Sequence, residues 1–124
     1  MEKKVLIVDD EPEMLKMISY ALEKAGFKTT TCDSGKQALS AISAHKPDLL
    51  ILDVMLPGID GYSLGQQIAG NPETKGIPVI VLTALEPSKP LFQKFSQVVA
   101  FMTKPCNIDE LVSQVQKAVG QAAA

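Results

Sequence analysis

Carboxylates follow two of the most aliphatic stretches of this 124-residue sequence. Asp9 and Asp10 come directly after Val5–Val8, and Asp53 comes directly after Leu49–Leu52. A carboxylate at the end of a buried strand costs free energy unless an opposite charge or a metal ion compensates it. Three such groups would repel one another by about 4 kcal/mol per pair at about 4 Å and an effective dielectric near 20. One lysine cannot offset that repulsion, whereas a hard divalent cation such as Mg²⁺ can.

Two further polar side chains follow later aliphatic runs. Thr83 comes after Val79–Leu82, and Lys104 comes shortly after Val98–Met102. An ammonium group and a hydroxyl can contact the equatorial oxygens of a phosphoryl group, and an aspartate can accept such a group as an aspartyl phosphate. The set therefore predicts a Mg²⁺ site that handles a phosphoryl group, with Asp53 as its central carboxylate.

These side chains can meet only if the aliphatic runs end at the same edge of a sheet. Strands that are uniformly aliphatic, rather than alternating with polar residues, are typical of a parallel sheet covered on both faces. Five such runs alternate here with stretches of helical periodicity. The pattern predicts a doubly wound α/β sandwich, in which ligands bind beyond the carboxyl ends of the strands.

Turn and cap residues separate the predicted elements. Pro12 suits the first turn of a helix and Gly26 its C′ position. A second helix follows Asp33-Ser34-Gly35 and stops at Lys46-Pro47, and Asn107 with Glu110 predicts a capping box for the last helix. The remaining predicted elements are a second strand over Phe27 to Cys32 and a third helix from about Tyr62 to Ala69.

Composition narrows the class of protein. The net charge is −2, and the twelve basic residues are all lysines, so no arginine offers bidentate contacts to phosphate or guanine. We therefore expect no direct nucleic-acid binding by this chain. No apolar run is long enough to cross a membrane and the N-terminus lacks the features of a signal peptide, which predicts a cytoplasmic protein with two free thiols, Cys32 and Cys106.

The polar residues, in their order and spacing, resemble the receiver domains of two-component response regulators. The resemblance rests on four motifs: Asp9-Asp10-Glu11-Pro12, Asp53 with Met55, Pro57, Gly58 and Gly61 after it, Thr83-Ala84, and Lys104-Pro105. It covers nearly the whole chain and implies a receiver domain over residues 1–120, with 121–124 as a tail or the start of a linker. The fold it implies is a flavodoxin-like (βα)5 sandwich with five helices and strand order 2-1-3-4-5.

The resemblance also implies a role for each carboxylate. Asp53 would be the phosphoacceptor and would also contact Mg²⁺. Asp10 would bind the metal directly, Asp9 mainly through water, and Met55 through its backbone carbonyl.

The later motifs would hold the phosphoryl group and relay its presence. Lys104 would pair with the phosphoryl group, and Thr83 and the Ala84 backbone N–H would donate hydrogen bonds to it. Phe101 matches the aromatic whose rotamer follows Thr83, with a plain core role as the alternative. Pro105 matches the family's cis-proline.

One segment departs from the family pattern. Pro87 and Pro90 lie between Thr83 and Lys104, so the fourth helix should start late, near Pro90, and be short or irregular. The segment is also unusually apolar, with Leu91, Phe92, Phe95, Val98 and Val99. Burial of this apolar side is the favoured interpretation, and a partner-binding surface is the alternative.

The expected function is a signalling switch rather than an enzyme. A histidine kinase or histidine phosphotransfer protein would phosphorylate Asp53, and the face formed by helix 4, strand 5 and helix 5 would convey the change to an output domain or downstream protein. The alternative is a pseudo-receiver, an interaction module that is independent of phosphorylation. A Mg²⁺ phosphohydrolase is disfavoured because Met55 stands where such enzymes carry a second aspartate, and an FMN carrier because Asp9-Asp10-Glu11-Pro12 stands where a phosphate loop is needed.

Overall fold

The five aliphatic runs form the strands of one parallel sheet. A computed structural model describes residues 3–9, 11–53, 70, 77–83, 98–103 and 107–119. The strands are β1 (Lys4–Val8), β2 (Lys28–Cys32), β3 (Leu49–Asp53), β4 (Val79–Thr83) and β5 (Val98–Thr103). The described helices are α1 (Pro12–Lys24), α2 (Gly35–His45) and α3 (Ile108–Val119). The predicted third and fourth helices and the tail lie outside the described residues.

The sheet has the order β2-β1-β3-β4-β5, and all four neighbouring pairs are parallel. The predicted doubly wound topology is confirmed. The direction of winding reverses between β1 and β3, and this switch point is where ligands bind in folds of this class. At the amino ends of the strands, the Lys4 N–H donates to Asp48 Oδ2 at 2.8 Å, and the Asp48 N–H donates to the Lys4 carbonyl at 2.7 Å. These two hydrogen bonds join the starts of β1 and β3.

Alternating residues of the central strands pack on opposite faces of the sheet. One buried cluster includes Leu6, Leu50 and Val81 together with Ala38 and Ile42 of α2. The other cluster lies on the face of α1 and α3; its fully buried members are Val5, Ile7, Ile18, Leu22, Phe27, Leu49, Ile51, Ile80, Leu82, Leu111 and Val115. Both faces of β1, β3 and β4 are therefore dry, which accounts for their uninterrupted aliphatic sequences.

The helices end where local sequence signals predict. After α1, Gly26 has φ 97°, the Gly26 N–H donates to the Glu23 carbonyl, and the Phe27 N–H donates to the Leu22 carbonyl. This pattern is a Schellman motif, and it keeps Phe27 out of β2 and buries it instead. Asn107 Oδ1 accepts the Glu110 N–H at 3.1 Å at the start of α3. Among the described helices, none has the length and apolar character needed to span a bilayer.

The pairing of β4 with β5 contains one irregularity. Val79 lies opposite Val98, but Ile80 lies opposite Ala100, so Val99 is an extra residue in β5. Such a bulge bends a strand and increases its local twist. Beyond it the pairing is regular, and Thr83 and Thr103 end the two strands side by side.

Candidate functional site

The backbones of Asp9 and Asp53 lie on neighbouring strands at the carboxyl edge of the sheet, next to the switch point. Val8 of β1 and Leu52 of β3 are register partners, so Asp9 and Asp53 are the next residues on these two neighbouring strands. Neighbouring strands lie about 4.8 Å apart. Asp53 is the last residue of β3, one residue longer than predicted, and lies opposite Leu82. The backbone thus brings the first and second aspartate motifs together.

The same edge continues through β4 and β5. Thr83 follows Leu82 and ends β4, and its register partner Thr103 ends β5. Lys104 is the next residue in the sequence after Thr103. The ends of β3, β4 and β5 therefore follow one another across the edge, in the order that the predicted site requires.

Asp9 is the buried charged side chain of the described core. Only 1% of its surface is exposed. Its Oδ1 accepts the Glu11 N–H at 2.9 Å, and its own N–H donates to the Cys32 carbonyl at 3.1 Å. The first bond spans two residues and forms an Asx turn between β1 and α1. Asp9 is therefore held by both the start of α1 and the end of β2.

A pair of aspartates before a helix can also serve merely to cap it, and Asp9 fits that role only in part. The N-cap residue is Glu11, which makes no side-chain capping bond, and Pro12 occupies the first turn. Asp9 lies two residues before this cap and bonds its N–H. The turn uses the Oδ1 atom of Asp9, and the residue still lies at the carboxyl edge of the sheet. Asp9 can therefore take part both in the turn and in a metal site.

Other predicted site residues lie outside the described residues. These are Asp10, Met55, Ala84, Lys104 and Pro105. Asp53, Thr83 and Phe101 are described by their backbones, and Phe101 lies opposite Val81 in β5. Within the described part of the chain no group of three or more His, Cys, Asp or Glu side chains could hold a metal ion, and the full predicted carboxylate set extends beyond that part.

The contribution of β2 to this edge was not predicted from the sequence. Cys32 ends β2 and is 8% exposed, and Asp33 follows it. Burial, and in addition the negative charge of Asp33, raises the pKa of the Cys32 thiol above its ordinary value of 9.0. Cys32 is a free thiol, as expected, and its environment favours the protonated form.

This environment predicts a specific loss of stability in alkaline solution. The pKa of Cys32 is raised in the folded state. The contribution of the protonated thiol to the free energy of unfolding is therefore fully present below the unfolded-state pKa, and it is lost as the pH rises toward the folded-state pKa. Above pH 9.0 we expect the free energy of unfolding to fall, with a limiting slope of about 1.4 kcal/mol per pH unit from this group.

Urea unfolding of wild type and Cys32→Ala across this pH range isolates the effect, because lysine and tyrosine titrations are common to both proteins. The difference in stability between the two should narrow as the pH rises. Parallel pH profiles would contradict the assignment.

The described donor set suits Mg²⁺. The cation prefers hard oxygen ligands, keeps several waters and commonly uses one or two carboxylates together with phosphate oxygens. A buried carboxylate, Asp9, lies at the edge where Asp53 ends the adjacent strand. Among the described residues at this edge, the Asp9 carboxylate offers hard oxygen ligands, whereas burial keeps the pKa of the Cys32 thiol raised and favours its protonated form.

Comparison with known protein families gives a match over most of the chain. Residues 5–116 match the family model described as the response regulator receiver domain. The alkaline phosphatase synthesis transcriptional regulatory protein PhoP of Bacillus subtilis is 33% identical over 123 residues, which cover 94% of this chain and 48% of that protein. The chain spans about half the length of such curated relatives.

Solved structures share the fold over nearly their full length. A putative response regulator from Chloroflexus aurantiacus has a TM-score of 0.89 and 34% identity, covering 96% of this chain and 98% of that one. The receiver domain of the sensor histidine kinase PA1611 from Pseudomonas aeruginosa has a TM-score of 0.86 and 26% identity, covering 97% and 99%. That structure contains a magnesium ion coordinated in its active site cleft.

Proposed function

The chain belongs to the response regulator receiver domain family, and from this membership we propose that it accepts a phosphoryl group on Asp53 and acts as a Mg²⁺-dependent signalling switch. The main support from the molecule itself is the register that sets Asp9, Asp53 and Thr83 at the carboxyl edge of neighbouring strands. Lys104 follows the strand beside them.

Asp53 is suited to act as the nucleophile because β3 is the central strand of the sheet, with a partner on each side. A carboxylate oxygen of Asp53 would attack the phosphorus of a phosphohistidine on the donor protein. The P–O bond to Asp53 forms as the P–N bond breaks, and the imidazole nitrogen leaves with the electron pair. Water later attacks the aspartyl phosphate, which returns the carboxylate and releases inorganic phosphate.

The carboxylates around Asp53 would hold the metal. We assign Asp10 and Asp53 as direct ligands, Asp9 as a ligand mainly through water, and the Met55 carbonyl as a further oxygen ligand. When bound, Mg²⁺ would neutralise negative charge on these carboxylates and on the phosphoryl oxygens. The magnesium ion in the PA1611 receiver domain, a protein of the same fold, supports this assignment.

The opposite side of the site would hold the phosphoryl group. The Lys104 ammonium would pair with a phosphoryl oxygen, while the Thr83 hydroxyl and the Ala84 N–H would donate hydrogen bonds to others. Pro105, proposed as a cis-proline, would orient Lys104. Phosphorylation adds charge and acceptor oxygens at Asp53, which would draw Thr83 toward the site and let Phe101 change rotamer.

Replacing Lys104 with alanine separates these two halves of the site. We expect Lys104→Ala to bind Mg²⁺ with nearly wild-type affinity but to form the aspartyl phosphate about 100-fold more slowly, because one group that stabilises the transferring phosphoryl oxygens is lost. Calorimetric titration with Mg²⁺ and the time course of intact mass with acetyl phosphate measure the two effects. Lys117→Ala, in the last turn of α3, is the matched control. Abolished Mg²⁺ binding in Lys104→Ala would show that the division of roles is wrong.

The partners follow from the chemistry of the proposed reaction. The donor would be a histidine kinase or a histidine phosphotransfer protein. The recipient of the signal would be an output domain or a downstream protein, reached through the face that includes β5 and α3. Relatives such as PhoP carry the name of transcriptional regulators and are about twice as long as this chain, which supports an output domain for a protein of this kind.

The competing function is a pseudo-receiver that binds its partner without phosphorylation. Incubation of the full chain with acetyl phosphate, with Mg²⁺ or with EDTA in its place, decides between the two. We expect one phosphoryl group per chain in the intact mass with Mg²⁺ and almost none with EDTA. A mass that stays unchanged with Mg²⁺, in protein shown to be folded by circular dichroism, would favour the pseudo-receiver.

A further inference from the structure

The end of β2 is joined to the proposed metal site by one backbone hydrogen bond. The Asp9 N–H donates to the Cys32 carbonyl at 3.1 Å, directly after the register pair Val8 and Cys32. Among the described strands, β2 lies at the edge of the sheet and pairs with β1 alone. Within that part of the chain, the strand that supplies this carbonyl has no second neighbour, so its position depends on how its side chains pack.

The Cys32 side chain provides that anchorage. It is 8% exposed and belongs to the buried cluster that contains Val8 of β1 and Ala38 and Ile42 of α2. Along β2 the other four residues are exposed or half-buried, so Cys32 is the buried residue of the strand. The packed Cys32 side chain thus holds the carboxyl end of β2 against the core formed by β1, β3 and α2.

The turn after Cys32 is also held at its far end. Ser34 is the N-cap of α2, and its side-chain oxygen accepts the Gln37 N–H at 3.3 Å. Only Asp33 separates the buried Cys32 from this cap. Because the turn is held at both ends, the Cys32 carbonyl has little freedom to move. The Asp9 N–H, which donates to this carbonyl, is restricted in the same way.

Asp9 is consequently fixed from two directions. The Cys32 carbonyl holds its backbone, and the Glu11 N–H holds its carboxylate at Oδ1. We propose that Cys32 is a positioning residue for the metal site, whose buried side chain holds the carbonyl that orients Asp9 and so sets the affinity for Mg²⁺. This inference rests on the proposed function, in which Asp9 contributes to binding of the metal.

The expected effect follows from how outer groups control metal ligands. Residues that orient ligands change metal affinity by about 10- to 100-fold when they are removed. Cys32→Ala keeps the carbonyl but removes the sulfur from a close-packed cluster, which only partly relaxes around the cavity. The action on Asp9 is indirect, so we expect the lower end of that range, a loss of about tenfold in Mg²⁺ affinity. Cys32→Val fills the space with an apolar side chain that is one heavy atom larger than cysteine and suits a strand, so affinity should stay within about threefold of wild type.

The test is calorimetric titration of the full chain with Mg²⁺. The matched control is Ile42→Val, which removes one methyl group from the same cluster but lies on α2, away from the β2 carbonyl. Urea unfolding of every variant separates general destabilisation from an effect on the site. We expect Cys32→Ala to lose affinity, and Ile42→Val and Cys32→Val to keep it. Exchange of the Asp9 amide hydrogen should be faster in Cys32→Ala than in Ile42→Val.

Several results would overturn the inference. Wild-type affinity in a folded Cys32→Ala, or an equal loss in Ile42→Val, would show that Cys32 does not position Asp9. If Cys32→Ala does not fold, Cys32→Ser takes its place. Its oxygen is smaller than sulfur and places a polar group in the apolar cluster, so Mg²⁺ affinity should still fall, and unchanged affinity and Asp9 exchange in that variant would count against the proposal. Absence of Mg²⁺ binding in the folded wild type would instead refute the proposed metal site, and this inference with it.

Discussion

Replacing Asp53 with asparagine is expected to abolish phosphorylation by acetyl phosphate. The amide that replaces the carboxylate is a poor nucleophile and cannot form an acyl phosphate, so position 53 can no longer accept the phosphoryl group. Intact mass after incubation with Mg²⁺ and the phosphodonor measures the effect, and the modified fraction should fall from most of the protein to background. The fold should remain, because asparagine has nearly the same volume and β3 is held on both sides by β1 and β4.

Asp33→Asn is the matched control for this change. Asp33 also lies at the carboxyl edge of the sheet, immediately after β2, but it has no role in the proposed transfer. The variant removes the same charge and should still accept a phosphoryl group. If Asp53→Asn were modified as fully as wild type, or if Asp33→Asn lost the modification while Asp53→Asn kept it, the nucleophile would have been assigned to the wrong strand.

The second large effect concerns the stability of the strand that carries Asp53. Leu50 is fully buried in the cluster that faces α2, and its register partners are Leu6 of β1 and Val79 of β4. Leu50→Ala is expected to lower the free energy of unfolding by about 2–5 kcal/mol, through lost burial and the cavity left behind. Such a loss is a large fraction of the stability of a typical domain. Urea unfolding measured by circular dichroism gives the value.

Met17→Ala is the control for Leu50→Ala. Met17 lies on α1 and is 53% exposed, so its truncation should change stability by no more than about 0.5 kcal/mol. A loss for Leu50→Ala no larger than that of Met17→Ala would mean that β3 is not the packed centre of the sheet. Asp53 would then lack the well-packed central strand on which its proposed role as nucleophile depends.

Most of the sheet could be predicted from the sequence because its strands are apolar on both faces. Leu49–Leu52 and Val79–Leu82 match strands in the structure to within one residue, since every side chain there is buried against a helix layer. Gly26 takes the predicted C′ position and Asn107 caps the last helix as predicted, because positive φ and side-chain capping are local effects of residue type. The predicted start of the second strand was wrong by one residue. Phe27 is buried by the Schellman motif of α1 instead of extending β2.

The candidate site was predictable only to the extent that strand ends converge. Asp9 and Asp53 follow neighbouring strands to the same edge because β1 pairs with β3, and parallel topology with aliphatic strands already favours that arrangement. The Cys32 carbonyl that holds Asp9 was not predictable in the same way. It is a backbone group that is 23 positions away in the sequence, and no residue type identifies such a bond. The bulge at Val99 likewise could not be predicted from the sequence. The residues from Val98 to Met102 are all apolar, so their pattern does not specify a register.

Chemical mapping of the phosphoryl group identifies the phosphorylated residue itself. Wild-type protein is phosphorylated with acetyl phosphate and Mg²⁺, reduced with borohydride, digested, and analysed by tandem mass spectrometry. Borohydride reduces an aspartyl phosphate to homoserine and leaves ordinary carboxylates unchanged, so the modified position is read from the fragment ions. We predict homoserine at position 53 alone, and only in the sample that contained Mg²⁺. Homoserine at Asp9, Asp10 or Asp33 instead of Asp53, or at no position in folded protein, would contradict the account.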